Sequence, residues 1–258
     1  MSKVIAVFGA GTGLGASVAR RFGREGFRVA LVARRKDRLD ALVAQLADEG
    51  IEAAAFPADL SDPAGVPALV DAIRSRFGRI DVVEYAPIGG GTSFTPAAQL
   101  DAATLEGLVP LLLLTPVEVA RAVLPEMTKR GDGAFLMTTG YSAAQPVPHL
   151  SGPGPVMAAA RNWLYSLNGE LAGAGVYAGT LTVAALILNS ETAEQAAAGQ
   201  EAAVPDGDFA DFPTVHPDQL AEHYWDMYIK RDRVEQAHPV ELTPAPTSAW
   251  NPLDGADA

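Results

Sequence analysis

Short apolar runs alternate with helical stripes along most of the chain. Val4–Phe8 is a continuous apolar run. Residues 27–32, 51–56, 80–85, 134–139 and 176–183 follow as further strand-like segments. Between them, apolar residues recur every three or four positions, the spacing that gathers them on one helix face. Leu14, Val18 and Phe22 make one such stripe. Leu39, Leu42, Val43 and Leu46 mark a helix over residues 35–49, and Val66, Leu69, Val70, Ile73 and Phe77 mark another. A long helical stretch is expected over residues 100–129, broken near Pro110 and Pro116, and a further helix over 156–172. A last helix covers 217–228, with Leu220, Tyr224, Met227 and Tyr228 on one face. This alternation predicts an α/β fold: one doubly wound parallel sheet with helices on both faces. The domain is expected to span residues 1–242. Residues 190–230 form a candidate substrate lid, and 243–258 are expected to be a disordered tail.

The first strand runs into Gly9-Ala-Gly-Thr-Gly-Leu-Gly15, which opens the first helix. Glycines tighten such a turn and let backbone approach a pyrophosphate. The helix N-terminus then offers free N–H groups to the anion. The strand–glycine–helix order makes the signal specific for a Rossmann-type dinucleotide site. Gly9, Gly11, Thr12, Gly13, Leu14 and Gly15 are its candidate residues. The second strand ends at Ala33 and is followed by Arg34 and Arg35, where an NAD site places an acid. A guanidinium fork suits a ribose 2′-phosphate, so NADP(H) is expected over NAD(H). Asp59 and Leu60 after the third strand, and Ala86 after the fourth, complete the candidate cofactor set.

Composition narrows the classes further. The chain has 258 residues, 48% of them hydrophobic, which suits one α/β domain. It has no cysteine, so disulfides and thiolate metal sites are excluded. The four histidines are scattered, and no metal site is expected. A net charge of −12 argues against nucleic acid. No run reads as long and apolar enough to span a bilayer, since residues 108–114 are few and contain Pro110. The glycine motif begins almost at once, with no signal peptide expected ahead of it. A cytoplasmic location is expected.

Together the glycine motif, the segment Ala33–Leu39, the turn Ala58-Asp-Leu60, Leu124-Pro-Glu-Met127 and Gly169-Glu-Leu171 resemble the short-chain dehydrogenase/reductase family. The resemblance covers about residues 3–188. One departure is Phe8, where the family usually has threonine. The resemblance implies a tyrosine that exchanges a proton with the substrate oxygen and a lysine that lowers its pKa. It also implies a serine that polarises that oxygen and an asparagine that supports a relay water. Those positions fall on Pro153, Met157, Gly140 (or Thr139 with a one-residue slip) and Leu112. No Tyr-x-x-x-Lys pattern occurs in the chain.

Thr138, Thr139, Tyr141, Ser142, His149 and Ser151 lie at the edge where such a site forms. Tyr85 and Glu84 end the fourth strand beside it. Tyr141 and His149 are the candidate proton donors. The expected function is an NADP(H)-dependent reductase of a small organic substrate, such as an imine, an iminium or an activated double bond. A non-catalytic NADP(H)-binding sensor or partner, and a redox-neutral lyase or cyclase, are the alternatives. Small residues such as Ala158-Ala-Ala160, on helices that resemble the family's pairing helices, predict a homo-oligomer, dimer or tetramer.

Overall fold

The computed structural model describes residues 2–88, 95–197 and 213–239. The strands in chain order are β1 (Val4–Phe8), β2 (Arg28–Ala33), β3 (Ala53–Pro57), β4 (Val82–Tyr85), β5 (Gly133–Gly140), β6 (Val176–Val183), β7 (Leu186–Ile187), β8 (Thr214–Val215) and β9 (Glu235–His238). The helices are α1 (Leu14–Arg24), α2 (Lys36–Asp48), α3 (Val66–Phe77), α4 (Ala102–Val109), α5 (Thr115–Arg130), α6 (Pro153–Leu171), α7 (Glu191–Ala197) and α8 (Pro217–Lys230).

Seven strands form a parallel sheet in the order β3-β2-β1-β4-β5-β6-β9, and β7 pairs with β8 separately. Both faces of the main sheet are covered. Leu14 and Phe22 of α1, Leu39 of α2 and Tyr224 of α8 pack one side. Val70 of α3, Val119 of α5 and Leu164 of α6 pack the other. Every residue of β1 is therefore buried, which is why this strand is an unbroken apolar run rather than an alternating one. Chain order reverses between β1 and β4. A doubly wound sheet opens its ligand crevice at the carboxyl ends of strands on either side of such a point.

The structure departs from the sequence pattern at three places. First, residues 102–130 are one continuous helical stretch. Pro110 and Pro116 do not break it, because the turn widens to a π segment over Pro110–Leu114 and each proline enters a first turn. The Leu111 carbonyl accepts from the buried Tyr85 hydroxyl at 2.5 Å. Pro116, five residues on, has no N–H to give it. With the breaks gone, Ala102–Arg130 is one 29-residue helical stretch containing an 18-residue window of mean hydropathy 1.7, long and apolar enough to cross a membrane. This corrects the sequence reading. Here Val119, Ala120, Val123 and Met127 are built into the core beneath the sheet.

Second, β9 has only one apolar residue in Glu235-Gln-Ala-His238, yet it forms the sheet edge beside β6. Its ladder, and the pair between Glu235 and Arg161 of α6 at 2.9 Å, hold it there. Third, the acidic stretch after residue 190 begins with helix α7, capped by the Ser190 hydroxyl, which accepts from the Ala193 N–H. The rest of the expected lid loop, residues 198–212, and the expected tail lie outside the described residues.

Candidate active site

A pocket of about 1160 Å³ opens at the carboxyl edge of the sheet. Its floor is the turn between β1 and α1. Gly9 has φ +99°, and a Cβ there would meet the Pro87 nitrogen at 2.7 Å. A Cβ on Gly15 would meet the Ala10 Cα at 2.7 Å. The first glycine thus allows the turn, and the last lets α1 seat against it. Gly11, Thr12, Gly13 and Leu14 line the same pocket, as do Asp59, Leu60 and Ala86. Asp59 also accepts from the Ser61 N–H at 2.9 Å, so its turn role and its place in the pocket coexist.

Arg34, just after β2, lines the pocket and makes no hydrogen bond or ion pair among the described residues. Arg35 lines it too, but differs from Arg34. Arg35 and Arg38 both pair with Glu191, at the start of α7. The segment before α7 lies over the glycine turn. Thr12 Oγ1 donates to the Asn189 carbonyl at 2.7 Å, and a Cβ on Gly13 would come within 3.2 Å of Ser190, a tight contact. The described part of the candidate lid therefore covers the phosphate half of the pocket. The sequence missed Glu191 as a site residue because an acidic, alanine-rich stretch reads as a solvated loop.

The other half of the pocket is a chamber lined by Leu108, Leu111, Pro153, Met157, Val183 and Leu186, with Thr95, Thr104 and Thr138 supplying hydroxyls. Four sequence positions singled out for chemistry meet here. Leu112 and Met157 share one apolar cluster. The Gly140 N–H points to the Met157 sulfur at 3.3 Å. Gly140 and Pro153 line the chamber. None of these four side chains carries a proton to give.

Hydroxyls on β5 divide into two sets. Thr139 is fully buried. It contacts Thr182 at 2.8 Å and Thr180 at 3.1 Å, and Thr182 donates to Glu235 at 2.5 Å. Burial opposes the charge of Glu235, but hydrogen bonds from Arg161, Thr182 and Tyr165 hold its carboxyl below the usual range. Glu235 is thus an acceptor only, and the protons run from Thr180 to Thr139 to Thr182 to Glu235. The Thr139 proton is engaged, so this residue has none for a ligand.

Thr138 differs. Its Oγ1 lies 2.5 Å from the Tyr224 hydroxyl of α8. Tyr224 is fully buried, and burial first, then the nearby charge of Glu84, raises its phenol well above the ordinary value. Glu84 sits in β4 between Val7 and Leu136 of the neighbouring strands. It is fully buried, neither carboxyl oxygen has a hydrogen-bond partner among the described residues, and burial pushes its pKa up to about 8.

Tyr141 and His149, the sequence candidates for proton donation, do not line the pocket. This is a correction with a local cause. Tyr141 opens a 3-10 turn, with its carbonyl bonded by the N–H groups of Ala144 and Gln145. His149 stands at φ +67° in a loop whose carbonyl accepts from the Thr95 N–H at 2.6 Å. Adjacency to β5 in sequence did not bring either side chain to the chamber. Among the described residues there is no cluster of groups able to hold a metal.

The family model for short chain dehydrogenases matches residues 3–200, and the chain belongs to that family. A fatty acyl-CoA reductase of Mycobacterium tuberculosis is 34% identical over 135 residues, 52% of this chain and 46% of that protein. The chain thus spans about half the length of this relative. Sulfoacetaldehyde reductase 2 of Chromohalobacter salexigens is 29% identical over 177 residues, 68% of this chain and 69% of that one.

Among solved structures, a short-chain dehydrogenase from Sphingobium yanoikuyae in complex with NADPH has a TM-score of 0.75 at 28% identity. It covers 98% of this chain and 93% of its own. L-Sorbose reductase from Gluconobacter frateurii, complexed with NADPH and L-sorbose, has a TM-score of 0.79 at 22% identity. It covers 95% and 97% and speaks for the fold alone.

Proposed function

We propose that this protein is an NADP(H)-dependent reductase of a small, neutral, largely apolar organic substrate, acting with a proton donor other than the family's tyrosine. The observation that carries the reading is the Arg34 guanidinium beside the glycine turn, without a partner among the described residues, in one pocket with an apolar chamber. The residues fit the cofactor. The Gly9–Gly15 turn and the N-terminus of α1 suit the pyrophosphate, Asp59 suits the adenine side, and Arg34 suits the 2′-phosphate. A bound dihydronicotinamide supplies a hydride. The NADPH complex of the Sphingobium relative supports the same cofactor.

The substrate class follows from the chamber. The carboxylates lining the pocket, Asp59 and Glu191, belong to the phosphate half. A cationic iminium would leave water for a chamber with no counter-charge among the described residues, which is costly. A neutral carbonyl, imine or activated double bond fits better, and such a substrate requires a proton as well as a hydride.

Titrating NADPH and NADH by fluorescence, then running a panel of ketones, imines and enones, tests this reading. Binding of NADPH with turnover of an apolar substrate is expected. Failure to bind NADPH removes the reading, and tight binding with no turnover favours a non-catalytic NADP(H)-binding role.

The pairing of Glu191 with Arg35 and Arg38 gives a further expectation. A 2′-phosphate competes with Glu191 for these cations. Because the groups are partly exposed, the pair contributes about 1 kcal/mol or less. Glu191→Gln is expected to tighten NADPH about two- to fivefold and leave NADH unchanged, as read by calorimetry. Equal tightening of both would assign Glu191 to a different role.

A further inference from the structure

We propose that the Thr138 hydroxyl is the proton donor of the chamber, supplied from behind by Tyr224. The proposal rests on the reductase reading and names the group that reading leaves open.

The geometry singles out Thr138. It lies on β5 two residues before Gly140, so the two share one strand face, and both line the chamber. Its neighbour Thr139 has its proton engaged in the chain that ends on Glu235. Thr138 has one polar contact, the Tyr224 hydroxyl at 2.5 Å. When Tyr224 donates to Thr138, the threonine proton is available to a ligand oxygen in the chamber. A threonine is too weak an acid to give a proton unaided, so it serves only if it regains one as it gives one.

For a ketone the step balances as follows. The carbonyl carbon accepts hydride, with its electron pair, from the reduced nicotinamide, and the carbon–oxygen π bond breaks. The oxygen takes one proton from Thr138. Thr138 takes one from Tyr224. Tyr224, left as phenolate, regains a proton by the reverse path, through Thr138, from water that enters once product leaves.

The test uses the full chain with NADPH and a ketone or enone that the wild type turns over. Thr138→Val is expected to lower kcat about a hundredfold with NADPH affinity unchanged, and Thr138→Ser to restore most of it. Tyr224→Phe is expected to lose about tenfold.

Full kcat in Thr138→Val, with an active wild type, overturns the donor role, and full kcat in Tyr224→Phe overturns the supply from Tyr224. A wild type that binds NADPH and reduces nothing removes the reductase reading, and the donor role with it.

Discussion

Replacing Arg34 with alanine is expected to weaken NADPH binding about thirtyfold and leave NADH binding nearly unchanged. Arg34 is the cation at the end of β2 that lines the pocket without a partner among the described residues. A guanidinium on a phosphate makes charge-assisted, two-pronged hydrogen bonds, and losing them costs about 2 kcal/mol. Arg35 and Arg38 do not substitute fully, because Glu191 already shares them. Arg34→Lys keeps the charge without the fork, so an intermediate loss is expected. Calorimetric titration of both cofactors against the three proteins measures this. Equal losses for NADPH and NADH would contradict the assignment of Arg34 to the 2′-phosphate.

The second large effect is on stability, through Glu84. Its carboxyl titrates near 8 in the folded protein because burial disfavours the charge, against an ordinary value of 4.5. Between these values the unfolded chain has released a proton that the folded chain retains. Stability therefore falls as pH rises through this window, by about 1.4 kcal/mol per unit. The loss is absent below pH 4.5 and complete above about 8. At pH 7 it amounts to about 3 kcal/mol. Glu84→Gln removes it. Urea unfolding at several pH values is expected to give a flatter profile for the variant and greater stability above pH 6. Parallel profiles for the two proteins would contradict a buried, protonated Glu84.

The sequence made local features legible and long-range partnerships invisible. The β1 run, the glycine spacing and the α1 stripe each lie within a few residues of one another, and the structure places them as expected. Strand β9 was missed because Glu235-Gln-Ala-His238 has almost no apolar pattern, and its place depends on β6 and Arg161. The α4–α5 stretch was expected to break at prolines that the π segment absorbs.

At the site, the turn glycines, Arg34 and Asp59 were legible from spacing, and Leu112, Gly140, Pro153 and Met157 from the resemblance to the family. The partnership of Thr138 with Tyr224, 86 residues apart, was not. Nor was the partnership of Arg38 with Glu191, 153 residues apart. A charged residue in the run Val82-Val-Glu-Tyr85 was the available signal for Glu84, since that strand has no solvent face.

The most direct test of the reductase account follows the hydride itself. NADPH carrying deuterium at the transferable position of nicotinamide carbon 4 is incubated with the protein and an apolar ketone or enone, and the product is weighed by mass spectrometry. The account predicts one deuterium in the reduced product for each NADPH oxidised. Product without deuterium, or NADPH that stays bound and unoxidised with every substrate class, would contradict it.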